Sequence, residues 1–342
     1  MEFLKKDLEE WLELTMEEPI NPALPICDPH HHLWDGPGDR GRYLIDDYLE
    51  DTAGGHNIIK TVFIECGTEY RQYGPEKMRS VGETEFASGE AKQCGSIKYE
   101  KTSVVEGIVA FADLFLGTDV TPVLEAHAEA AKNRLRGIRQ ICIWDSDPAV
   151  VTMGNSKGMM LESKFREGFS CLRNYGLVFD AWQYYTQLME LKDLAEKFPD
   201  ITIVVNHTGG PLGIGSYKGR QEEVFHEWKK NIIELANCPN VYIKLGGLGM
   251  PRCGFGWHQM SKPPNSMELS EIMAPYFLFC MERFGIDRCM FESNFPVDKV
   301  SYSYTVLWNA FKRICKELSP EEKAAVFHDN AVKVYRLSER KN

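Results

Sequence analysis

Asp28-Pro29-His30-His31-His32 closes the apolar run Leu24-Pro25-Ile26-Cys27. Such a run has the pattern of a β-strand, whose side chains alternate between two faces. His30 and His32 therefore project together, and His31 projects the other way. Two imidazoles two residues apart at a strand end can share one metal ion or one substrate oxygen. A zinc-type centre takes three or four protein ligands, so the pair needs partners from elsewhere. A surface accident or a tag remnant would not follow an apolar strand and lead into Leu33-Trp34-Asp35.

Other polar residues also sit at or near the ends of apolar runs. His207 follows Val204-Val205-Asn206 and precedes Gly209-Gly210-Pro211. It is expected to join His30 and His32. Arg139 is a candidate carboxylate clamp. Lys244, within Val241-Tyr242-Ile243-Lys244-Leu245, is either a charge for a carboxylate, a base if desolvation lowers its pKa, or a snorkelling barrel-end lysine. Glu65 and Asp28 are candidates to orient an imidazole. Trp144-Asp145, Asp180, Trp182, Gln183 and Glu292 end further runs. His56, His127, His226 and His328 are expected to be structural or solvent-facing, and His258 to have reach towards substrate.

The elements that must position these residues follow from periodicity. Apolar runs at Ile26–His32, Ile58–Cys66, Val104–Phe111, Gly137–Trp144, Leu177–Gln183, Ile201–His207, Val241–Leu245 and Cys289–Asn294 give eight candidate strands. Helical patterns lie between them, at Val123–Leu135, Lys164–Tyr175, Gln187–Phe198, Glu222–Ala236 and Ser270–Phe284. Strands alternating with helices imply parallel pairing, and eight such units predict a (β/α)8 TIM barrel. An open doubly wound sheet would need a glycine-rich phosphate loop after the first strand, where histidines stand instead. Leu4, Leu8, Trp11, Leu12 and Met16 recur at helical spacing, so residues 1–25 are expected to form an N-terminal helical arm and residues 26–342 a single barrel domain. Two long irregular connections, Gly67–Ser103 with Tyr70 and Gly246–Leu269 with Phe255, Trp257 and His258, follow strands two and seven. Both therefore lie on the C-terminal face, where barrel enzymes build their sites.

Composition bounds the partners. The chain has 342 residues, 43% hydrophobic and 26% charged, which is ordinary for a soluble globular protein. A net charge of −11 disfavours nucleic acid and anionic membranes. No signal peptide or transmembrane run is apparent, and a cytoplasmic location is expected. The ten cysteines are scattered without a Cys-x-x-Cys pair, which argues for free buried thiols in a reducing compartment.

Together, Asp28-Pro29-His30-His31-His32-Leu33-Trp34-Asp35, His207-Thr208-Gly209-Gly210-Pro211, Met290-Phe291-Glu292-Ser293-Asn294-Phe295-Pro296-Val297-Asp298 and Phe327-His328-Asp329-Asn330-Ala331 resemble the amidohydrolase superfamily. The nearest branch is the amidohydrolase-related group of TIM-barrel metal-dependent hydrolases, which includes sugar-acid and pyrone-dicarboxylate lactonases. The resemblance spans about residues 24–338. It implies a (β/α)8 barrel with His30, His32 and His207 at the centre, and an aspartate at the end of strand eight. This sequence has Asn294 there, which is neutral and cannot act as a general base. Its carbonyl could still coordinate weakly, or its amide could donate to substrate.

The resemblance leaves metal use open. His30, His32 and His207 could hold zinc or manganese, or the imidazoles could polarise a reactive lactone carbonyl without metal. Glu65, Asp298 and a histidine are the candidate bases. The leading expectation is a hydrolase of a small carboxylated cyclic ester, a lactone. His30, His32, His207, Asn294 and Glu65 would be catalytic. Arg139, Lys244, Tyr70, Trp257 and His258 would bind an anionic small-molecule substrate. A metal-dependent decarboxylase and a non-catalytic ligand-binding barrel are the alternatives. A homo-oligomer is compatible with the sequence.

Overall fold

The computed structural model describes residues 5–36, 41–94, 102–154 and 156–338. Eight strands form one sheet in chain order: β1 (Pro25–His31), β2 (Asn57–Ile64), β3 (Ser103–Ala110), β4 (Leu135–Arg139), β5 (Val178–Ala181), β6 (Ile203–Val205), β7 (Val241–Leu245) and β8 (Cys289–Phe291). Every neighbouring pair is parallel. The first and last strands meet just beyond β8. His31 bridges Phe295, the His32 N–H donates to the Phe295 carbonyl at 2.8 Å, and the Asn294 N–H donates to the His30 carbonyl at 2.9 Å. The result is a (β/α)8 barrel.

Alternation along the strands explains the two cores. Cys27, Val62, Ile64, Val109, Val178, Val204 and Met290 face inward and pack on Tyr335 and Leu337. Their neighbours Ile26, Phe63, Ile108, Phe179, Ile203 and Phe291 face outward, into the layer beneath the helices. Strands buried on both faces read as unbroken apolar runs, which is why all eight are legible. Several strands end earlier than the sequence suggests, so their terminal polar residues stand beyond the ladder, at the mouth.

The surrounding helices are α1 (Lys5–Leu12), α2 (Ile45–Thr52), α3 (Val81–Cys94), α4 (Thr121–Ala131), α5 (Ser163–Ser170), α6 (Leu188–Lys197), α7 (Gln221–Ala236), α8 (Ser266–Phe284), α9 (Tyr304–Ile314), α10 (Pro320–Ala324) and α11 (Asn330–Val334). Helix α8 starts four residues before the apolar period suggests. Asn265 and Glu268 form a reciprocal capping box that satisfies the first N–H groups and fixes the start. Helix α1 and its following turn are fastened to the segments after β7 and β8. Trp11 Nε1 donates to the Met260 carbonyl at 3.0 Å, Thr15 Oγ1 to the Pro263 carbonyl at 2.8 Å, and Lys299 pairs with Glu9 at 2.7 Å. The nine cysteines whose side chains are described are free, and all of these but Cys66 are buried. Among the described residues no helix is long and apolar enough to cross a membrane.

Candidate active site

The end of β1 sorts its histidines as alternation requires. His31 turns outward, stacks on Tyr48 with ring centroids 4.3 Å apart, and meets Thr61 Oγ1 at 2.9 Å. His30 and His32 turn into the mouth, with their Nε2 atoms 3.3 Å apart. His32 Nδ1 lies 2.8 Å from the Ile64 carbonyl. A carbonyl only accepts, so His32 carries its proton on Nδ1 and leaves Nε2 as a lone pair. His207 arrives from the turn after β6, its ring centroid 4.5 Å from that of His30. The backbone turns sharply here, with positive φ at His207 and Thr208 (53° and 55°). Gly247 makes room for it, because a Cβ there would lie 2.5 Å from the His207 Cβ and Nδ1.

Glu292, one residue past β8, joins this group. Its Oε1 accepts from both the backbone N–H and Nδ1 of His207, each at 2.8 Å. Its Oε2 lies 2.7 Å from His30 Nδ1, but out of line for a hydrogen bond, and is buried without a partner. Ligand atoms of His30, His207 and Glu292 all lie within 4.8 Å of one another. His32 reaches this group through His30. Burial pushes the carboxyl of Glu292 up to about 7. Burial, with the cations Lys244 and Arg139 nearby, holds His30, His32 and His207 well below the ordinary imidazole range, so all three are neutral.

Arg139 and Lys244 are committed inside the protein. Lys244 is fully buried below His30. Its ammonium donates to Asp180 Oδ2 at 2.6 Å and the Pro29 carbonyl at 2.9 Å, and lies 3.3 Å from His30 Nδ1. Asp180 also accepts from Tyr335 and Asn206. Fully buried and held by Asp180 and the Pro29 carbonyl, Lys244 is not open to the mouth of the barrel. Arg139 donates through Nε to Glu65 Oε1 at 2.7 Å and through Nη2 to the Glu65 carbonyl. Its Nη1 alone faces the site, 3.3 Å from His30 Nε2 and 3.5 Å from Asn206 Oδ1. Glu65 is thus the counter-ion of Arg139 and not a free base.

The remaining expected residues stand further out. Asn294 donates its side-chain amide to Asp298 Oδ1 at 2.8 Å, while its backbone closes the barrel. Asp298 also accepts from Tyr302 and the Gly249 N–H, and burial raises its carboxyl to about 7. Trp257 is buried against Phe255 and Tyr302. Tyr70 packs on Phe111, and His258 Nδ1 is buried without a partner. None of Tyr70, Trp257 and His258 makes a hydrogen bond or ring contact with the three imidazoles among the described residues.

Two site residues have no role assigned from the sequence. Glu292 is noted there only as the end of an apolar run. Arg252, on the connection after β7, is the other. It is half-buried, 5.8 Å from the Trp182 ring, and donates to the Tyr184 hydroxyl at 3.3 Å. Trp182 in turn sits edge-on to His207, with centroids 4.5 Å apart. Among the described residues no carboxylate pairs with Arg252.

Charge and tautomers show that this group fits a divalent cation. Arg139 is balanced by Glu65 and Lys244 by Asp180. Glu292 has no such partner, so the ionised site carries an excess negative charge. If His30 holds its proton on Nδ1, towards the orphaned Glu292 oxygen, the Nε2 lone pairs of His30 and His32 face each other. Two nitrogens about 2.0–2.1 Å from one ion at a tetrahedral angle stand about 3.4 Å apart, close to the 3.3 Å found here.

A sequence model of the amidohydrolase family matches residues 27–337. The chain belongs to this family. It is 35% identical over 334 residues to the uncharacterised protein y4mH of Sinorhizobium fredii, covering 92% of this chain and 99% of that one. It is 27% identical over 247 residues to an L-fucono-1,5-lactonase of Burkholderia ambifaria, covering 69% of this chain and 72% of that one. Among solved structures, a zinc-bound amidohydrolase from Burkholderia multivorans shares the fold. Its TM-score is 0.70 at 20% identity, over 92% of this chain and 99% of that one. The chain is an amidohydrolase-family enzyme.

Proposed function

We propose that this enzyme hydrolyses a small lactone bearing a carboxylate. The observation that carries the reading is the joining of His30 and His207 to one buried, uncompensated carboxylate, Glu292, beside a second pair of facing imidazole nitrogens. Similarity to an L-fucono-1,5-lactonase supports the lactone class.

The lactone carbonyl oxygen would lie by the Nη1 edge of Arg139, which can donate to the oxyanion as it forms. Arg252 would hold the carboxylate in a charge-assisted hydrogen bond, with the Trp182 ring beneath the substrate. Without an ion, His207 Nε2 accepts the proton of the attacking water and returns it to the ring oxygen as the acyl C–O bond breaks. Glu292 Oε1 keeps the Nδ1 proton and offsets the imidazolium charge, as carboxylate–imidazole pairs do elsewhere. Residues of the group His30, His32, His207 and Glu292 would hold a divalent ion, which when bound supplies Lewis-acid polarisation and acidifies water. Asn294 anchors Asp298 and the barrel seam in this reading and takes no proton.

The test is ring opening, followed as acid release, on sugar-acid lactones and on a pyrone dicarboxylate, with and without added zinc or manganese. Acid release that is lost in His207→Ala supports the proposal. Carbon dioxide release without ring opening would assign the site to decarboxylation. Ligand-induced stabilisation without turnover would make it a binding barrel.

A further inference from the structure

A second charged cavity lies at the other end of the barrel, near the chain entering β1. It has a volume of ≈ 230 Å³ and is lined by Asn21, Leu24, Lys312, Cys315, Lys316 and Lys323, among others. Lys312 stands in the last turn of α9 and is only 6% exposed. Its ammonium donates to the Asn21 carbonyl at 2.9 Å and to His56 Nδ1 at 2.8 Å. His56 Nε2 faces the Thr305 carbonyl at 3.2 Å, so the ring is a neutral acceptor towards the lysine. No carboxylate among the described residues pairs with Lys312.

The other two lysines are no better balanced. Lys323 donates to the Lys316 carbonyl at 2.9 Å, and among the described residues Lys316 approaches only Glu317, at 3.8 Å on the surface. The carboxylates of α10 point elsewhere: Glu322 caps the Ser319 N–H, and Glu321 and Glu322 line a separate surface depression with Asp287 and Arg288. The carbonyl end of α9 supplies about half a negative charge. Three ammonium groups outnumber it. A buried ammonium without a counter-charge is unfavourable, and burial lowers the pKa of Lys312 to about 8. Both facts describe a cation with no partner carboxylate among the described residues.

We propose that this cavity is a binding site for a small oxyanion of the phosphate class, on the face of the barrel opposite the candidate active site. The volume suits such an ion with a few waters, each occupying about 30 Å³. The three lysines provide the charge, and the Asn21 and His56 contacts aim Lys312 into the cavity.

The experiment is a titration with inorganic phosphate at constant ionic strength, read as thermal stabilisation and by calorimetry, with chloride as control. A saturable, phosphate-specific rise in Tm is expected in the wild-type chain. Binding should weaken at least about tenfold in Lys312→Met, and also in Lys316→Ala/Lys323→Ala, at one exposed and one half-buried position whose truncation should not disturb folding. Arg252→Ala should retain it, which separates this cavity from the candidate active site. A phosphomonoester that gives the same rise would show that the phosphoryl group suffices; a response to the free ion alone would confine the site to inorganic phosphate. No phosphate-specific shift, a shift unchanged in the double variant, or a shift lost in Arg252→Ala would overturn the proposal. No arm of the test depends on lactone turnover.

Discussion

One oxygen of Glu292 accepts two hydrogen bonds from His207, from the backbone N–H and from the ring Nδ1–H, each at 2.8 Å. The same oxygen therefore fixes both the turn that carries His207 and the tautomer of its ring. Glu292→Gln keeps an acceptor in place but removes the charge. Turnover should fall about 10–100-fold, the usual effect of losing a carboxylate that orients an imidazole, with Tm little changed. Unaltered kcat in the variant would remove Glu292 from the mechanism.

The facing nitrogens of His30 and His32 give a second prediction. After loading with zinc or manganese, elemental analysis should find about one ion per chain. His30→Ala and His32→Ala should each lose it. Full metal content in both variants would place the ion elsewhere.

Among the described residues, Arg252 stands near His207 with no acid to hold. Arg252→Ala should raise KM for a carboxylated lactone about 10–100-fold, the worth of a charge-assisted hydrogen bond. A neutral lactone should be affected far less. Equal loss on both substrates would show that the guanidinium shapes the loop and does not read the carboxylate.

Lys244 and Asp180 form a fully buried pair. Lys244→Met leaves Asp180 charged, with Tyr335 and Asn206 as neutral partners. Breaking such a pair from one side costs about 3–5 kcal/mol. Urea unfolding should show that loss, and Lys244→Met/Asp180→Leu should recover part of it. A single variant as stable as the parent would contradict the pairing.

Asp298 makes stability depend on pH. Its carboxyl rises from 3.8 to about 7 on folding. The folded state therefore holds the proton more tightly, and stability from this group is complete below pH 3.8 and is lost as pH rises towards 7. Asp298→Asn cannot ionise. Between pH 5 and pH 7 the variant should gain on the parent, by no more than about 1.4 kcal/mol per pH unit. Parallel stability profiles over this range would show that Asp298 is ionised throughout.

The barrel was legible because interior parallel strands have no polar face, and because His30, His32 and His207 interrupt apolar runs at their ends. Pairing was not legible. Arg139 and Lys244 look like free cations in the sequence because their partners, Glu65 and Asp180, lie 74 and 64 positions away. Glu292 had a usable signal: it stands two residues before Asn294, so alternation points both the same way. Glu292 is thus a carboxylate one step earlier on the face where the expected aspartate is replaced by Asn294. Arg252 sits in an irregular connection with no period to orient it, and only the fold brings it to Trp182.

The closure of the barrel has a consequence for how the chain comes into being. Its seam joins His30 to Ser293 and Asn294, with the His30 carbonyl and the Ser293 hydroxyl 263 positions apart in the chain. The two halves of the candidate site are made at opposite ends of synthesis. A nascent chain that has reached β7 already owns His30, His32 and His207, yet lacks Glu292 and the backbone that completes the ring. Chemical competence is thus deferred until nearly the whole polypeptide exists, so truncated products carry the histidines without the assembled site.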